Sequence, residues 1–237
     1  MNKADIGLIG LAVMGENLAL NIESRGYKVA VYNRTVSKVD ELTAGRAKGK
    51  NMIGCATVKD LCSFLKKPRM VIMMVKAGEA TDKTIEGIIP HLEKGDIIID
   101  GGNSLFEDTV RRQNKLEEIG LYYIGSGISG GEEGALKGPS IMPGGSYEAW
   151  KFLEPVFKSI SAKVDGNVPC CEWVGKGGAG HFVKMVHNGI EYGDMQIICE
   201  AYHIMKNILS MSEDEMSSIF AGWNMTTAAF WEAFQNS

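Results

Sequence analysis

The sequence predicts an α/β fold, with a doubly wound, mostly parallel sheet first and an all-α segment after it. Two observations carry this reading. Short β-branched runs alternate with amphipathic stretches from Ile6 onward, as a sheet covered by helices on both faces requires. Beyond Gly178 the alternation stops, and a long proline-free stretch with helical periodicity replaces it.

The strand candidates are Ile6 to Ile9, Lys28 to Tyr32, Val71 to Val75, Ile97 to Ile99 and Leu121 to Ile124, each continuously apolar. Between and after them, Met14 to Ser24, Val58 to Phe64, Thr81 to Ile88, Leu105 to Ile119 and Tyr147 to Ile160 show helical patterns. The segment Gly125 to Gly145 carries eight glycines with Pro139 and Pro143, which predicts a binding loop with tight turns. Glu172 to Val174 is expected as a short strand, and Gly175 to Gly180 punctuates the chain. The helical pattern from Gly178 to Asn207 repeats through Phe182, Met185, Val186, Ile190, Met195, Ile198 and Ala201. A second helix, Glu213 to Gly222, is expected with Ser212 as its cap. Trp223, Phe230, Trp231 and Phe234 near the end point to an interrupted domain or a partner surface.

Composition narrows the partners. The 237 residues are 45% apolar and 23% charged with a net charge of -4, so no basic field predicts nucleic acid or an anionic membrane as partner. No basic leader, cleavage site or membrane-length apolar run is visible, and a cytoplasmic location is expected. The cysteines Cys55, Cys62, Cys170, Cys171 and Cys199 are odd in number and scattered, which predicts reduced thiols without a disulfide framework. No His or Cys pair has metal-ligand spacing, and no metal is expected.

After the first strand, Gly10-Leu11-Ala12-Val13-Met14-Gly15 opens a helix. In a Rossmann-type turn the first glycine permits the bend and the last allows close packing, while N–H groups at the helix start hold a pyrophosphate. Ala12 stands where the strict pattern has glycine, so its methyl group should push the pyrophosphate slightly outward. The second strand ends at Asn33-Arg34-Thr35 without the carboxylate that a ribose 2′-hydroxyl calls for; a cation and hydrogen-bond donors there suit a 2′-phosphate. Taken alone, Arg34 is also compatible with a solvated surface charge. Val75-Lys76-Ala77 and the loop Asp100 to Ser104, with Asn103, follow two more strands on the same rim, where such sheets bind ligands, although ordinary turns have the same composition.

Lys184, His187, Asn188 and Glu191 stand at i, i+3, i+4 and i+7 of the long helical pattern and share one face. Lys184 and Glu191 are about 10 Å apart along such a helix, which fits two groups gripping opposite ends of a small substrate. A buried lysine serves as a general base and a buried carboxylic acid as a proton donor, the pair needed to oxidise an alcohol and then protonate a carbanion. An exposed helix flank gives the same spacing. His91 and His203 are expected at the surface or satisfied in the core, and Asp194 and Glu200 as solvated charges.

The fingerprint, Asn33-Arg34-Thr35, the run Ile97 to Asn103, Ser129-Gly130-Gly131-Glu132-Glu133-Gly134-Ala135, Gly138 to Gly145 and above all Lys184 to Tyr192 resemble the decarboxylating 6-phosphogluconate dehydrogenases of the β-hydroxyacid dehydrogenase superfamily. The resemblance runs to about Asn224, and Met225 to Ser237 does not follow the family pattern. It implies NADP as cofactor and 6-phosphogluconate as substrate, oxidised and decarboxylated to ribulose 5-phosphate in the pentose phosphate pathway. Lys184 becomes the base and Glu191 the acid. Asn103, Ser129, Gly130, Gly131, His187, Asn188 and Tyr192 hold the sugar acid. Gly10, Ala12, Val13, Met14, Gly15, Asn33, Arg34, Thr35, Val75, Lys76, Ala77 and Asn103 surround the cofactor, Arg34 taking the 2′-phosphate. The expected organisation is an NADP-binding Rossmann domain over 1–177 and the first helices of a truncated helical domain over 178–237, with a homodimer as the family's assembly. A non-catalytic NADP-binding fragment and another β-hydroxyacid dehydrogenase, with a shorter substrate such as 3-hydroxyisobutyrate, are the alternatives.

Overall fold

Apolar runs that a parallel sheet buries on both faces align into seven strands in the computed structural model, which describes residues 3–235 and, over 225–235, the backbone alone. The chain divides into two compact units, Met1–Val186 and His187–Ser237.

In the first unit strands and helices alternate: β1 (Ile6–Ile9), α1 (Val13–Ser24), β2 (Val29–Tyr32), α2 (Ser37–Ala44), β3 (Met52–Cys55), α3 (Val58–Phe64), β4 (Met70–Met73), α4 (Glu79–Ile88), β5 (Ile97–Asp100), α5 (Phe106–Glu118), β6 (Tyr122–Ser129), α6 (Gly131–Lys137), β7 (Ser140–Gly145) and α7 (Tyr147–Ile160). The strand order is β3-β2-β1-β4-β5-β6-β7. Strands β1 to β6 are parallel and β7 pairs antiparallel with β6. The order reverses between β1 and β4, and the two chains leaving that point in opposite directions open a crevice at the strands' carboxyl ends. Leu8, Val31, Ile72 and Ile99 bury one sheet face together with Leu18, Trp150 and Phe157. Ile9, Ala30, Met73 and Ile98 bury the other with Leu61, Ile85 and Ile88.

The predicted strands and helices of this unit are present except Glu172 to Val174, and several elements went unread, a short two-stranded pair over Lys163–Val164 and Val168–Pro169 among them. Helix α2 buries only Val39 and Leu42, too few for a clear periodicity. Strand β3 is an edge strand, half-buried over Met52 and Ile53, so its apolar run is short. The segment Gly125 to Gly145, expected as a binding loop, is instead mostly the ordered β6-α6-β7 unit. Glu172 to Val174 is not a strand either; Cys171 and Gly175 beside it form single bridges to Ile141 and Gly144.

The glycines of that segment have a packing reason. Helix α8 (Ala179–His203) begins in contact with the β6-β7 backbone. A Cβ on Gly180 would lie 2.2 Å from Gly125 O and 2.4 Å from Met142 O, and one on Gly144 would lie 2.3 Å from Gly180 N. Helix and sheet approach until backbone meets backbone, which only glycine permits.

The second unit holds the rest of α8, a wider π-type turn over Ile204–Ile208 and α9 (Glu213–Gln235), longer than the expected Glu213 to Gly222. Ser212 caps α9 with Glu215: Ser212 Oγ and N both donate to Glu215 Oε2 at 2.8 Å, and Glu215 N donates back to Ser212 Oγ at 3.4 Å. Met205 and Met216 are buried here, whereas Ile190, Met195 and Ile198 of the predicted apolar periodicity are exposed. Trp223 stacks edge-on against Phe220. The side chains of Phe230, Trp231 and Phe234 lie outside the described residues. Among the described residues no helix is long and apolar enough to cross a membrane.

Gly180→Ala forces overpacking at the helix-sheet contact and is expected to destabilise the first unit by about 1–3 kcal/mol. Urea denaturation of the variant beside Gly189→Ala, where an added Cβ meets nothing within 4 Å, checks it; equal midpoints would refute the contact's role.

Candidate functional site

The turn after β1 is held by backbone proximity. Gly10 sits at φ +100°, and a Cβ there would come within 2.3 Å of Met74 O; one on Gly15 would come within 1.9 Å of Gly10 O. Leu11 N donates to Asn33 Oδ1 at 2.9 Å, while Asn33 Nδ2 donates to Thr35 O at 3.0 Å. The Asn33 amide thus ties the turn to the end of β2 with both of its polar atoms. Ala12 precedes α1 in extended conformation and no side chain caps the helix, which leaves its first N–H groups oriented towards an anion.

These pieces border a cleft of about 660 Å³. Of the expected cofactor residues, Gly10, Ala12, Asn33, Arg34, Thr35, Val75 and Lys76 line it. Val13, Met14, Gly15, Ala77 and Asn103 are not part of that lining. Lys38 from α2 and Lys83 from α4 add two cations that the sequence reading missed. Glu79, the acidic residue of the lining, pairs with Lys83 at 2.7 Å. The cleft therefore presents a net positive wall with a glycine turn beside it, a setting for a polyanion.

The next rim loop is built around Asp100, which has no exposed surface. Its carboxylate accepts from Gly102 N at 3.0 Å, Ser104 Oγ at 2.6 Å and Tyr123 Oη at 2.9 Å. Arg112 of α5 lies 3.7 Å away and forks onto Asp82 at 2.9 and 3.1 Å while donating to Gly78 O at 3.1 Å. One buried guanidinium so joins the loop after β4 to the loop after β5. Burial disfavours the Arg112 charge, but hydrogen bonds and attraction from Asp82 and Asp100 outweigh it and hold the group above its ordinary value. The Arg112 hydrogen bond lowers Asp82 below the usual carboxylate range, and burial pushes the Tyr123 phenol well up. Asn103 extends from this framework.

Helix α8 brings Lys184 onto β6, where a Cβ on Gly127 would lie 2.5 Å from Lys184 Cβ. Lys184 is 8% exposed. One turn earlier His181, 2% exposed, occupies the space left by Gly125 and places Nδ1 2.7 Å from Thr109 Oγ1. Burial drives its imidazole below the ordinary value. Ser129 ends β6, and Gly130 and Gly131 follow at φ +139° and +60° to start α6.

In the second unit His187 Nδ1 lies 3.2 Å from Asn188 Oδ1 and 3.7 Å from Glu191 Oε2. Glu191 keeps 54% of its side chain exposed and Tyr192 is 70% exposed.

Residues 5–175 match the NAD-binding domain of 6-phosphogluconate dehydrogenase, and residues 180–231 match that enzyme's C-terminal domain, past the Asn224 where the motif resemblance ends. The chain belongs to the 6-phosphogluconate dehydrogenase family. It is 63% identical over 223 residues to the decarboxylating enzyme of Dictyostelium discoideum, covering 94% of this chain and 45% of that one. With the human enzyme the identity is 58% over 226 residues, covering 95% and 47%. The solved Plasmodium falciparum 6-phosphogluconate dehydrogenase superposes with a TM-score of 0.87 at 50% identity, covering 93% of this chain and 47% of that one. The chain thus spans about half the length of these family members.

His181 and Arg112 escaped the sequence reading because each sits in an ordinary helical pattern, and Asp100 was read only as part of a rim loop; the fold alone brings the three together. Lys38, four residues after Arg34, was the one with a usable signal, a second cation just beyond β2.

Asp82 is lowered in the folded protein, so its contribution is present above the unfolded carboxylate pKa and is lost as pH falls through the lower folded one. Asp82→Asn is expected to lower stability by about 1–3 kcal/mol at pH 7, with the gap to the wild type narrowing below about pH 4. Denaturant titrations at pH 7 and pH 3 measure both; a gap that does not change with pH would contradict the assignment.

Proposed function

We propose that this chain carries the cofactor-binding and proton-transfer residues of an NADP-dependent oxidative decarboxylation of 6-phosphogluconate to ribulose 5-phosphate, a step of the pentose phosphate pathway. The observation that carries the reading is the cationic cleft at the end of β2, where Arg34 stands without a competing carboxylate of its own strand end. The cofactor and substrate classes are supported by the Plasmodium falciparum relative, which was solved with NADP+ and with 6-phosphogluconate.

The residues present fit the cofactor. Gly10 and Gly15 leave no room for a side chain, so the backbone N–H groups at the start of α1, those of Val13 and Met14 among them, meet the pyrophosphate directly. Ala12 lines the cleft with its methyl group and sets how far the pyrophosphate stands off. Arg34, Thr35 and Lys38 take the 2′-phosphate, while Asn33 holds the turn in shape. Val75, Lys76, Ala77 and Asn103 are read as the nicotinamide side. Bound NADP supplies the hydride acceptor. Lys184 Nζ takes the proton of the substrate's 3-hydroxyl, and Glu191 returns a proton to the carbon that has lost CO2. Asn103, Ser129, Gly130, Gly131, His187, Asn188 and Tyr192 hold and orient the sugar acid. We read 1–177 as the NADP-binding domain and 178–237 as helices of the substrate domain, supported by the two family matches. We also infer a cytoplasmic homodimer: the cysteines are free, and exposed Ile190, Ile197 and Ile198 offer a surface for a second subunit.

A second reading, NADP binding without turnover, is favoured by Glu191, which keeps 54% of its side chain exposed where a proton donor is expected to be buried. NADPH formation on adding 6-phosphogluconate at high protein concentration separates the two; binding by calorimetry without turnover would leave only the second. Lys184→Met is expected to abolish turnover with NADP affinity kept within about twofold. Arg34→Ala is expected to weaken NADP about 10–100-fold and NAD hardly at all, as the loss of a charge-assisted phosphate contact implies. Equal weakening of both nucleotides would remove Arg34 from the 2′-phosphate.

A further inference from the structure

Two loops proposed to hold different ligands are in contact. Val75 to Gly78 follows β4 on the nicotinamide side of the cofactor, and Gly101 to Ser104 follows β5 and carries Asn103. A Cβ on Gly102 would lie 2.9 Å from Val75 O, so the two backbones meet as closely as glycine allows. Each loop is also held from its own side. Thr81, with no exposed surface, donates from Oγ1 to Lys76 O at 3.1 Å, and Gly102 N donates to Asp100 Oδ1 at 3.0 Å.

Arg112 of α5, 2% exposed, reaches both loops. Its Nε and one terminal nitrogen fork onto the Asp82 carboxylate at 2.9 and 3.1 Å, and that terminal nitrogen also donates to Gly78 O at 3.1 Å. The other terminal nitrogen donates to Ser104 Oγ at 3.3 Å, and Ser104 Oγ donates in turn to Asp100 Oδ2 at 2.6 Å. A planar guanidinium, with N–H groups in fixed directions on three nitrogens, spans these acceptors at once; a lysine ammonium, whose donors all leave one atom, cannot. The fork therefore sets a spacing as well as a charge balance.

We infer that Arg112 is a positioning residue: it fixes the loop carrying Lys76 relative to the loop carrying Asn103, and so sets the nicotinamide side of the cofactor against the sugar acid. The inference rests on the proposed function for its catalytic consequence, whereas the clamp between the loops stands on the hydrogen bonds alone. Hydride transfer needs reacting atoms about 3–3.5 Å apart, so a small shift between the two loops costs rate more than affinity. The opposite end of the same two strands holds a comparable pair. Arg69, just before β4, bonds Asp96, just before β5, at 2.8 Å, and its partners Asp96, Glu93 and Cys62 O belong to neither loop.

Amide exchange and turnover of the full chain test the clamp, with Arg69→Lys as the control for loss of a sheltered ion pair. Arg112→Lys should speed exchange by about tenfold or more at Gly102 and at Thr81, whose N–H is bonded to Gly78 O, and Arg69→Lys at neither. Asp82→Asn, which loosens the clamp from the α4 side, should speed Gly102 as well and decides the matter if Arg112→Lys does not fold. Unchanged exchange at Gly102, or the same acceleration in Arg69→Lys, overturns the inference. In turnover assays Arg112→Lys should lose about tenfold or more in kcat for 6-phosphogluconate with NADP affinity within about twofold, while Arg69→Lys keeps the wild-type kcat per folded molecule. A wild-type kcat in Arg112→Lys, or an equal loss of NADP affinity, overturns the positioning role. If the wild type shows no turnover, the functional reading fails alone, and the exchange results still decide the clamp.

Discussion

A carboxyl group with no exposed surface needs hydrogen-bond partners for both of its oxygens. Asp100 meets that demand with Gly102 N, Ser104 Oγ, Tyr123 Oη and the nearby Arg112 guanidinium. Each partner belongs to a segment that shapes the rim of the sheet. Gly102 and Ser104 bend the loop that presents Asn103, Tyr123 fixes β6, and Arg112 extends the constraint through Gly78 O and Asp82 to α4. The loops after β4 and β5 are therefore one rigid assembly.

The second constraint is contact between backbones. Gly125, Gly127, Gly144 and Gly180 keep their own Cβ atoms out of the closest approaches between α8 and strands β6 and β7. The gain is proximity: a lysine and a histidine on one helix turn reach a strand face that bulky residues would have blocked. Each glycine gives up side-chain contacts and adds chain entropy to the unfolded state, so such a cluster persists where close approach is required. Lys184 owes its burial to this arrangement.

The cofactor cleft works by a different rule. Its glycine turn and uncapped helix start supply directed N–H groups, and Arg34, Lys38, Lys76 and Lys83 supply charge. The glycine turn and Arg34 lie apart from the Asp100 assembly, whereas Lys76 and Lys83 stand on the loop and helix that Arg112 ties to it.

Much of this was written in the sequence. The apolar runs of β1, β2, β4 and β5 were legible because burial on both faces leaves unbroken hydrophobic strings, helices α1, α3, α4 and α5 because of their periodicity, and the Gly10 to Gly15 turn and Arg34 because local backbone geometry and charge mark them. The long run at Lys184 to Tyr192 carried the family. What the sequence could not show was which distant segments touch. The glycines from Gly125 to Gly145 look like a loop when read locally, since nothing in a single strand reveals that a helix from residue 179 onward lies against it. His181 reads as one more helical residue until Thr109 and the space over Gly125 receive it. Local propensity and patterning are properties of neighbours in the chain, whereas buried charge pairing and backbone-to-backbone packing are properties of neighbours in space; the tertiary structure alone decided those.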